Sequence, residues 1–320
     1  MESIIKQLTS LRRGNTDYGM APHKPILLLA VIESYEEGEI ELNWIEITEA
    51  LLTRFYDLWK LLVKTKNTPN FSLPFYHLSN EKGGFWNLIE YPGKSLPLTK
   101  SKSIKSFSAL KESILAAKLS DEFYYSIVDS TSRKVLQQAI LESYFPGQSL
   151  NKVETTLRYS EEIEAQILYD PSENYARKVV QKLKEETVEA IEEERILRSH
   201  IFRKAVLHVY NKQCAISGLK IESSKQTLLV DACHIVPFAK TYDDTIHNGI
   251  ALSPTFHRAF DSGLIAISDN YRVLVHGQLI DFNLTSGIRQ YENKTILLPK
   301  EEKFYPSLDR LGAHRARFGY

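Results

Sequence analysis

The sequence predicts an α+β protein in three parts: a mixed helical and β unit over residues 1–150, a charged helical connector over 151–200, and a compact strand–loop–helix unit over 201–320. Three observations carry this. Long apolar runs at helical spacing dominate the first part. The middle is dense in charges with apolar positions three and four apart. From Phe202 onward the pattern changes to short β-branched runs separated by tight turns.

In the first part, PILLLAVI at 25–32 reads as a buried helix with Pro25 at its first position, where a missing N–H costs nothing. Residues 50–63 carry Leu51, Leu52, Phe55, Leu58, Trp59 and Leu62 at helical spacing. Residues 74–78 and 84–89 read as two short strands around a polar, glycine-bearing turn. Residues 107–119 and 133–145 read as helices, the second stopped by Pro146-Gly147. The middle is mostly helical and broken at Asp170-Pro171, with 175–198 as one amphipathic connector helix. A homodimer through a coiled coil stays open there, with too few clean heptads to assign one. In the last part, 202–210 is a short helix, 214–218 a tight turn and LLVDACHIV at 228–236 a strand. A helix follows at 254–260, then a hairpin over 263–275 around Asp269-Asn270.

The chain has 320 residues, enough for two folded domains, with 43% hydrophobic and 25% charged residues, the balance of a soluble globular protein. It carries no signal-peptide pattern and no apolar run long enough to cross a membrane. Two cysteines, Cys214 and Cys233, exclude a disulfide framework and fit a reducing cytoplasm. The net charge is zero, so composition alone does not call for a nucleic-acid partner. Basic residues cluster locally instead, at Arg12-Arg13, His23-Lys24, Lys100 to Lys105 and His314-Arg315-Ala316-Arg317, while Glu185-Glu186 and Glu192-Glu193-Glu194 concentrate acid in the middle.

The last part holds a constellation of polar residues. His234 ends a strand, Asn248 lies in the following loop, and His257 and Asp261 sit four apart on a short helix. Residues i and i+4 share a helix face, so His257 and Asp261 can point at one ion. An imidazole with a carboxylate suits a divalent metal such as Mg²⁺, Mn²⁺ or Zn²⁺. Hydrolysis of a phosphodiester uses these groups: a metal to neutralise charge, a histidine to take a proton from water, and an amide to fix the loop and orient the base. Each residue alone has a bland explanation: a structural histidine, an Asn-Gly turn, a solvated helix face. In strand–loop–helix order they point together to a site, with His234 facing the helix across the loop.

CAISG at 214–218, DACHIVP at 231–237, NGIALSP at 248–254 and HRAFDSGLI at 257–265 together resemble the HNH endonuclease family, in the branch found among restriction enzymes. The resemblance covers about residues 200–320 and implies a ββα-metal nuclease fold. It implies that His234 is the general base, Asn248 the middle Asn, His257 the last His and a metal ligand, and Asp261 a second ligand on the same helix. Many family members place Asp or His as a further ligand where this chain has Cys233, which either packs or ligates a soft metal, with packing the plainer reading. Strand alternation puts Asp231 on the face of Cys233, opposite His234. A zinc knuckle is not expected, because Cys214 is followed by Ser217 where a second cysteine would stand.

GMAPHKPILLL at 19–29, PFYHL at 74–78 and GFW at 84–86 make the first part similar to sulfur-binding domains of phosphorothioate-dependent restriction enzymes. That resemblance implies double-stranded, modified DNA as partner. Arg12, Arg13, His23, Lys24, Tyr76 and His77 are the candidate polar contacts, and Pro22, Phe75 and Trp86 the candidate apolar walls, though Phe75 and Trp86 read more simply as core. The expectation is therefore a metal-dependent restriction nuclease directed at phosphorothioate DNA. Its rivals are an HNH nuclease reading a modified base or plain sequence, and a DNA-binding regulator on an inactive nuclease fold.

Overall fold

The computed structural model describes residues 1–99, 104, 106–150, 158–185, 187–222, 228–281 and 287–320. Two compact units emerge, Met1–Glu162 with Glu186–Leu197, and Ile163–Glu185 with Arg198–Tyr320. The basic run from Lys100 to Lys105 lies outside the described residues, Ile104 excepted.

In the first unit, α1 (Glu2–Thr9) leads through a small hairpin, β1 (Asn15–Thr16) and β2 (Gly19–Met20), into α2 (His23–Glu36). Helix α2 starts two residues before Pro25 and is buried on every side from Pro25 to Tyr35, as an apolar run without a polar face requires. It packs against α3 (Glu49–Leu62), which Thr48 caps by accepting from the Leu51 N–H.

Residues 74–78 are not a strand: α4 (Ser72–His77) is helical and runs into a 3₁₀ turn over Leu78–Asn80. Pro74 sits in the first turn, where no intrahelical N–H bond is lost. The free N–H groups of that turn have acceptors: Asn70 takes Leu73, and Glu193 takes Phe71 and Ser72. The second expected strand exists as β3 (Trp86–Glu90). Its antiparallel partner is β4 (Ile114–Leu119), a stretch whose Ala and Leu content reads as helix in sequence. The helix before it, α5 (Phe107–Ser113), ends six residues early because pairing with β3 takes over the backbone. Helices α6 (Asp121–Val128) and α7 (Ser130–Tyr144) complete the unit's packing, and Phe75 and Trp86 lie in its core, Trp86 donating to the Phe75 carbonyl.

Helix α8 (Tyr159–Tyr169) precedes Asp170-Pro171 and α9 (Ser172–Glu185). Residues 175–198 are not one helix: α9 stops at Glu185 and α10 (Val188–Val209) begins anew and absorbs the expected short helix at 202–210. The acids of 192–193 serve as acceptors at two helix starts of the first unit. Glu193 is 1% exposed and accepts from Phe71, Ser72 and the Tyr56 hydroxyl. Glu192 likewise takes the N–H groups of Phe107 and Ser108 at the start of α5.

In the second unit, β5 (Asp231–His234) is shorter than its apolar run and pairs antiparallel with β6 (Gly249–Leu252), Cys233 opposite Ile250 and His234 opposite Gly249. Between them lies α11 (Phe238–Thr241). Helix α12 (Pro254–Asp261) packs across both strands. The hairpin β7 (Ile265–Ile267) and β8 (Val273–Val275) follows as expected, and α13 (Leu308–Phe318) closes on β7. Gly249 is required by packing: a Cβ there would lie 2.5 Å from Val206 and 3.1 Å from Phe202. Its absence lets α10 press against the strand pair. No described helix is long and apolar enough to cross a membrane.

Candidate functional site

The strand pair β5–β6 and helix α12 form a ββα frame, and its chemistry divides between the two faces of β5. Asp231 and Cys233 face α12, as strand alternation requires. On that helix His257 and Asp261 share a face, with Nε2 of His257 3.4 Å from Asp261. The Cys233 thiol lies 3.7 Å from the other Asp261 oxygen. One donor atom from each of Cys233, His257 and Asp261 falls within 4.8 Å of the others. Ligand bonds of about 2.0–2.3 Å to a common ion bring donor atoms to such separations. Cys233 is fully buried, His257 half-buried and Asp261 exposed, so an ion held by all three would keep a side open to solvent. Sulfur, nitrogen and oxygen together fit a divalent cation of borderline softness. Burial, and then the nearby Asp261, raises the Cys233 thiol well above its ordinary pKa, so without an ion it stays a thiol with Asp261 as its acceptor.

Asp231 stands behind this cluster. Its carboxylate lies 3.5 Å from Nδ1 of His257, and Arg203 holds it at 2.9 Å while also reaching the Val230 carbonyl at 3.1 Å. A carboxylate on the ring nitrogen away from an ion fixes a histidine's tautomer and direction.

His234 does not join the cluster or face α12. Its ring stacks on Phe202 of α10, centroids 4.1 Å apart and nearly parallel, and its Nε2 meets the Asp244 carboxylate at 2.8 Å. The side chain stays 24% exposed. Asn248 donates to the carbonyls of Val236 and Asp243 and accepts from the Val236 N–H, each at 2.9 Å. It bonds the loop and leaves the ring to Asp244. No sequence signal separated Asp244 from its neighbour Asp243, which instead pairs with Arg310 of α13 at 2.8 Å. Arg203 was also invisible in sequence, since it lies 28 positions before the Asp231 that it holds.

In the first unit the basic candidates are partly engaged. Lys24 forms an ion pair with Glu81 and also donates to the Arg12 carbonyl, and the Arg12 N–H donates to Glu81 at 3.2 Å. Beside them is an open cleft of about 380 Å³, lined by Arg12, Glu81, Lys82, Lys6, Gln7 and Ser10 among others. His77, in ring contact with Tyr76, has its pKa lowered by burial and then by Lys24, which places it in the same field. His23 stands differently: its ring lies against Trp59, its Nε2 against the Thr68 carbonyl at 3.0 Å, and burial pushes its pKa down to about 4. It is neutral near pH 7 and its ring nitrogen is already engaged. The Arg13 guanidinium lies over the Tyr144 ring, 4.6 Å from its centroid.

Residues 214–268 match the HNH endonuclease family model, and residues 1–158 match that of the ScoMcrA-like DNA sulfur-binding domain. The chain joins a DNA sulfur-binding domain to an HNH endonuclease domain. Among solved structures, the modification-dependent TagI restriction endonuclease is similar at 21% identity over 37% of this chain and 38% of that one, with a TM-score of 0.28. The type IV phosphorothioation-dependent restriction endonuclease ScoMcrA is similar at 12% identity over 80% of this chain and 93% of that one, with a TM-score of 0.35. The chain thus spans 38% of the TagI chain. No curated protein matches. The HNH match contains Cys233, His234, Asn248, His257 and Asp261, so the Cys233–His257–Asp261 group lies inside the matched region.

Proposed function

We propose that this protein is a modification-dependent restriction endonuclease that binds phosphorothioate-modified double-stranded DNA through its first unit and hydrolyses phosphodiester bonds through its second. The observation that carries the reading is the convergence of Cys233, His257 and Asp261 within 4.8 Å on the strand–helix frame of an HNH endonuclease domain. Cys233, His257 and Asp261 would hold the cation, and the sulfur favours a Zn²⁺-like ion over Mg²⁺. A divalent ion there supplies charge neutralisation at the scissile phosphate. Asp231 orients His257 toward it, and Arg203 holds Asp231. His234 accepts a proton from the attacking water while the phosphorus–oxygen bond to the leaving group breaks. Asn248 keeps the loop after β5 in one conformation.

In the first unit, Arg12, Lys24, Tyr76 and His77 make the polar side of the DNA contact. Arg13 supports it through Tyr144, and His23 acts in the fold, as a neutral ring at the start of α2 packed on Trp59. A phosphorothioate sulfur is larger and less strongly hydrated than oxygen, so a surface pairing aromatic atoms with cations prefers it. The test is cleavage of matched phosphorothioated, methylated and plain duplexes with Mn²⁺, Zn²⁺ and Mg²⁺, each with a chelator control. Cleavage restricted to the phosphorothioated duplex and abolished by chelator is expected. Equal cleavage of all three duplexes removes the sulfur reading, preference for the methylated duplex replaces it, and binding without cleavage under every ion leaves a DNA-binding regulator.

A further inference from the structure

Asp244 belongs to a buried polar chain that begins outside the residues matching the HNH domain. Its Oδ1 meets Nε2 of His234 at 2.8 Å, and its Oδ2 accepts from the Tyr175 hydroxyl at 3.2 Å. That hydroxyl in turn accepts from Arg198 at 3.0 Å, the guanidinium also lying against the tyrosine ring. Tyr175 is 0% exposed, Arg198 and Asp244 4% each. Tyr175 comes from α9 and Arg198 from α10, one turn before Phe202, the residue on which His234 stacks. An ionised carboxylate only accepts, so Nε2 carries the ring proton and Nδ1 keeps the lone pair.

We propose that Asp244, held through Tyr175 by Arg198, is a positioning residue that fixes His234 in the one tautomer whose Nδ1 can take a proton from water. The proposal rests on the reading of His234 as the general base. A purely structural network would explain the burial, and α9 already has such a tie in the Ser172–Thr245 hydroxyl contact at 3.0 Å. It would not explain why the chain ends on a ring that is one quarter exposed, clamped between an aromatic face and a carboxylate. There the orienting nitrogen faces the buried carboxylate and the ring keeps a solvent edge. Dry, hydrogen-bonded carboxylates orient histidines in this way because an unpaired buried charge is costly, so Asp244 cannot turn away from its partners.

The experiment measures two things on the full-length protein: the ring tautomer of His234 by ¹⁵N nuclear magnetic resonance without metal, and single-turnover nicking of phosphorothioated plasmid with Mn²⁺. Asp244→Asn keeps the shape but can offer an N–H to Nε2 and favours the opposite tautomer. The expected result is a shift of the ring toward the Nδ1–H form and a rate about 10²–10⁴-fold lower. Duplex affinity, Mn²⁺ titration and melting temperature should stay as in the wild type. Tyr175→Phe, which removes only a hydroxyl, should cost about 10-fold. In a His234→Ala background Asp244→Asn should cost nothing more. An unchanged tautomer and rate in Asp244→Asn, or an equal loss with and without His234, overturns the proposal. Normal cleavage by His234→Ala alone sinks the general-base role and with it the proposal, whatever the tautomer. A tautomer that stays fixed while His234→Ala is inactive sinks the Asp244 proposal alone.

Discussion

Replacing Glu193 with Ala should unfold the DNA-binding unit at markedly lower denaturant, and the size of the effect follows from the groups it would strand. The carboxylate accepts from the Phe71 and Ser72 N–H groups and from the Ser72 and Tyr56 hydroxyls, at 2.9–3.2 Å. Each buried donor left without an acceptor costs about 1–3 kcal/mol. At the low end four donors give about 4 kcal/mol, and removing the carboxylate's own desolvation cost returns part of that, leaving a net loss of about 3 kcal/mol. For a unit of this size such a loss lowers the melting point by roughly 6–12 °C. All three tryptophans, Trp44, Trp59 and Trp86, lie in this unit, so their fluorescence in a urea titration reports its unfolding selectively. Glu193→Gln keeps the shape and one acceptor and should lose about half as much. Burial raises the Glu193 pKa above the usual carboxylate value of 4.5. The native state therefore holds its proton longer than the unfolded one, and wild-type stability relative to Glu193→Gln should fall as pH rises from 4.5 through the raised pKa. An Ala variant with the wild-type midpoint, or a Gln comparison flat in pH, refutes the reasoning.

Acid should destabilise the same unit through His23. Its pKa of about 4 means the unfolded state binds the proton first, so stability present above pH 6.5 is lost as pH falls toward 4. Discounted for its partial exposure, the loss between pH 7 and 5 is about 1 kcal/mol, and His23→Gln should remove it in parallel tryptophan titrations. His257→Ala and Asp261→Ala should each weaken Mn²⁺ binding by calorimetry at least 10-fold, Cys233→Ser should weaken Zn²⁺ more than Mn²⁺, and unchanged titrations in all three variants would remove the cluster as a metal site. His234→Ala should cut the cleavage rate about 10²–10⁴-fold while duplex affinity in a mobility-shift assay stays near normal. Retained cleavage assigns the base elsewhere.

The nuclease frame was legible because its signals are local. The β-branched run before His234, Pro254 opening a helix and the four-residue step from His257 to Asp261 each act over a few residues, and the structure has the strand and the helix where those signals stand, whereas the Asn-Gly pair ends a 3₁₀ turn and opens β6, a strand the sequence reading did not expect. The helices α2 and α3 were legible for the same reason, being long and strongly periodic. Residues 74–78 and 114–119 misled because their state depends on partners. PFYHL reads as a strand by aromatic content, yet it lies in α4, whose start is held by Glu193, more than a hundred positions away, accepting the Phe71 and Ser72 N–H groups. ILAAKL reads as a helix by propensity, yet it pairs with β3.

The sequence by itself therefore determined the class of chemistry: which residues offer imidazole, thiol and carboxylate, and which of them must share a helix face or a strand face. Only the tertiary structure decided which of those groups meet. It brought Cys233 to His257 and Asp261, where packing alone had been the simpler expectation, and turned His234 to the other face, onto Phe202 and Asp244. It also made Glu193 a buried acceptor for the start of α4, and Glu192 a part-buried one for the start of α5, in a stretch that sequence presents as one charged helix. The reason is the same in each case. Periodicity fixes the direction of a side chain relative to its own element, whereas its partner is set by loop closure and packing between elements, which no local pattern encodes.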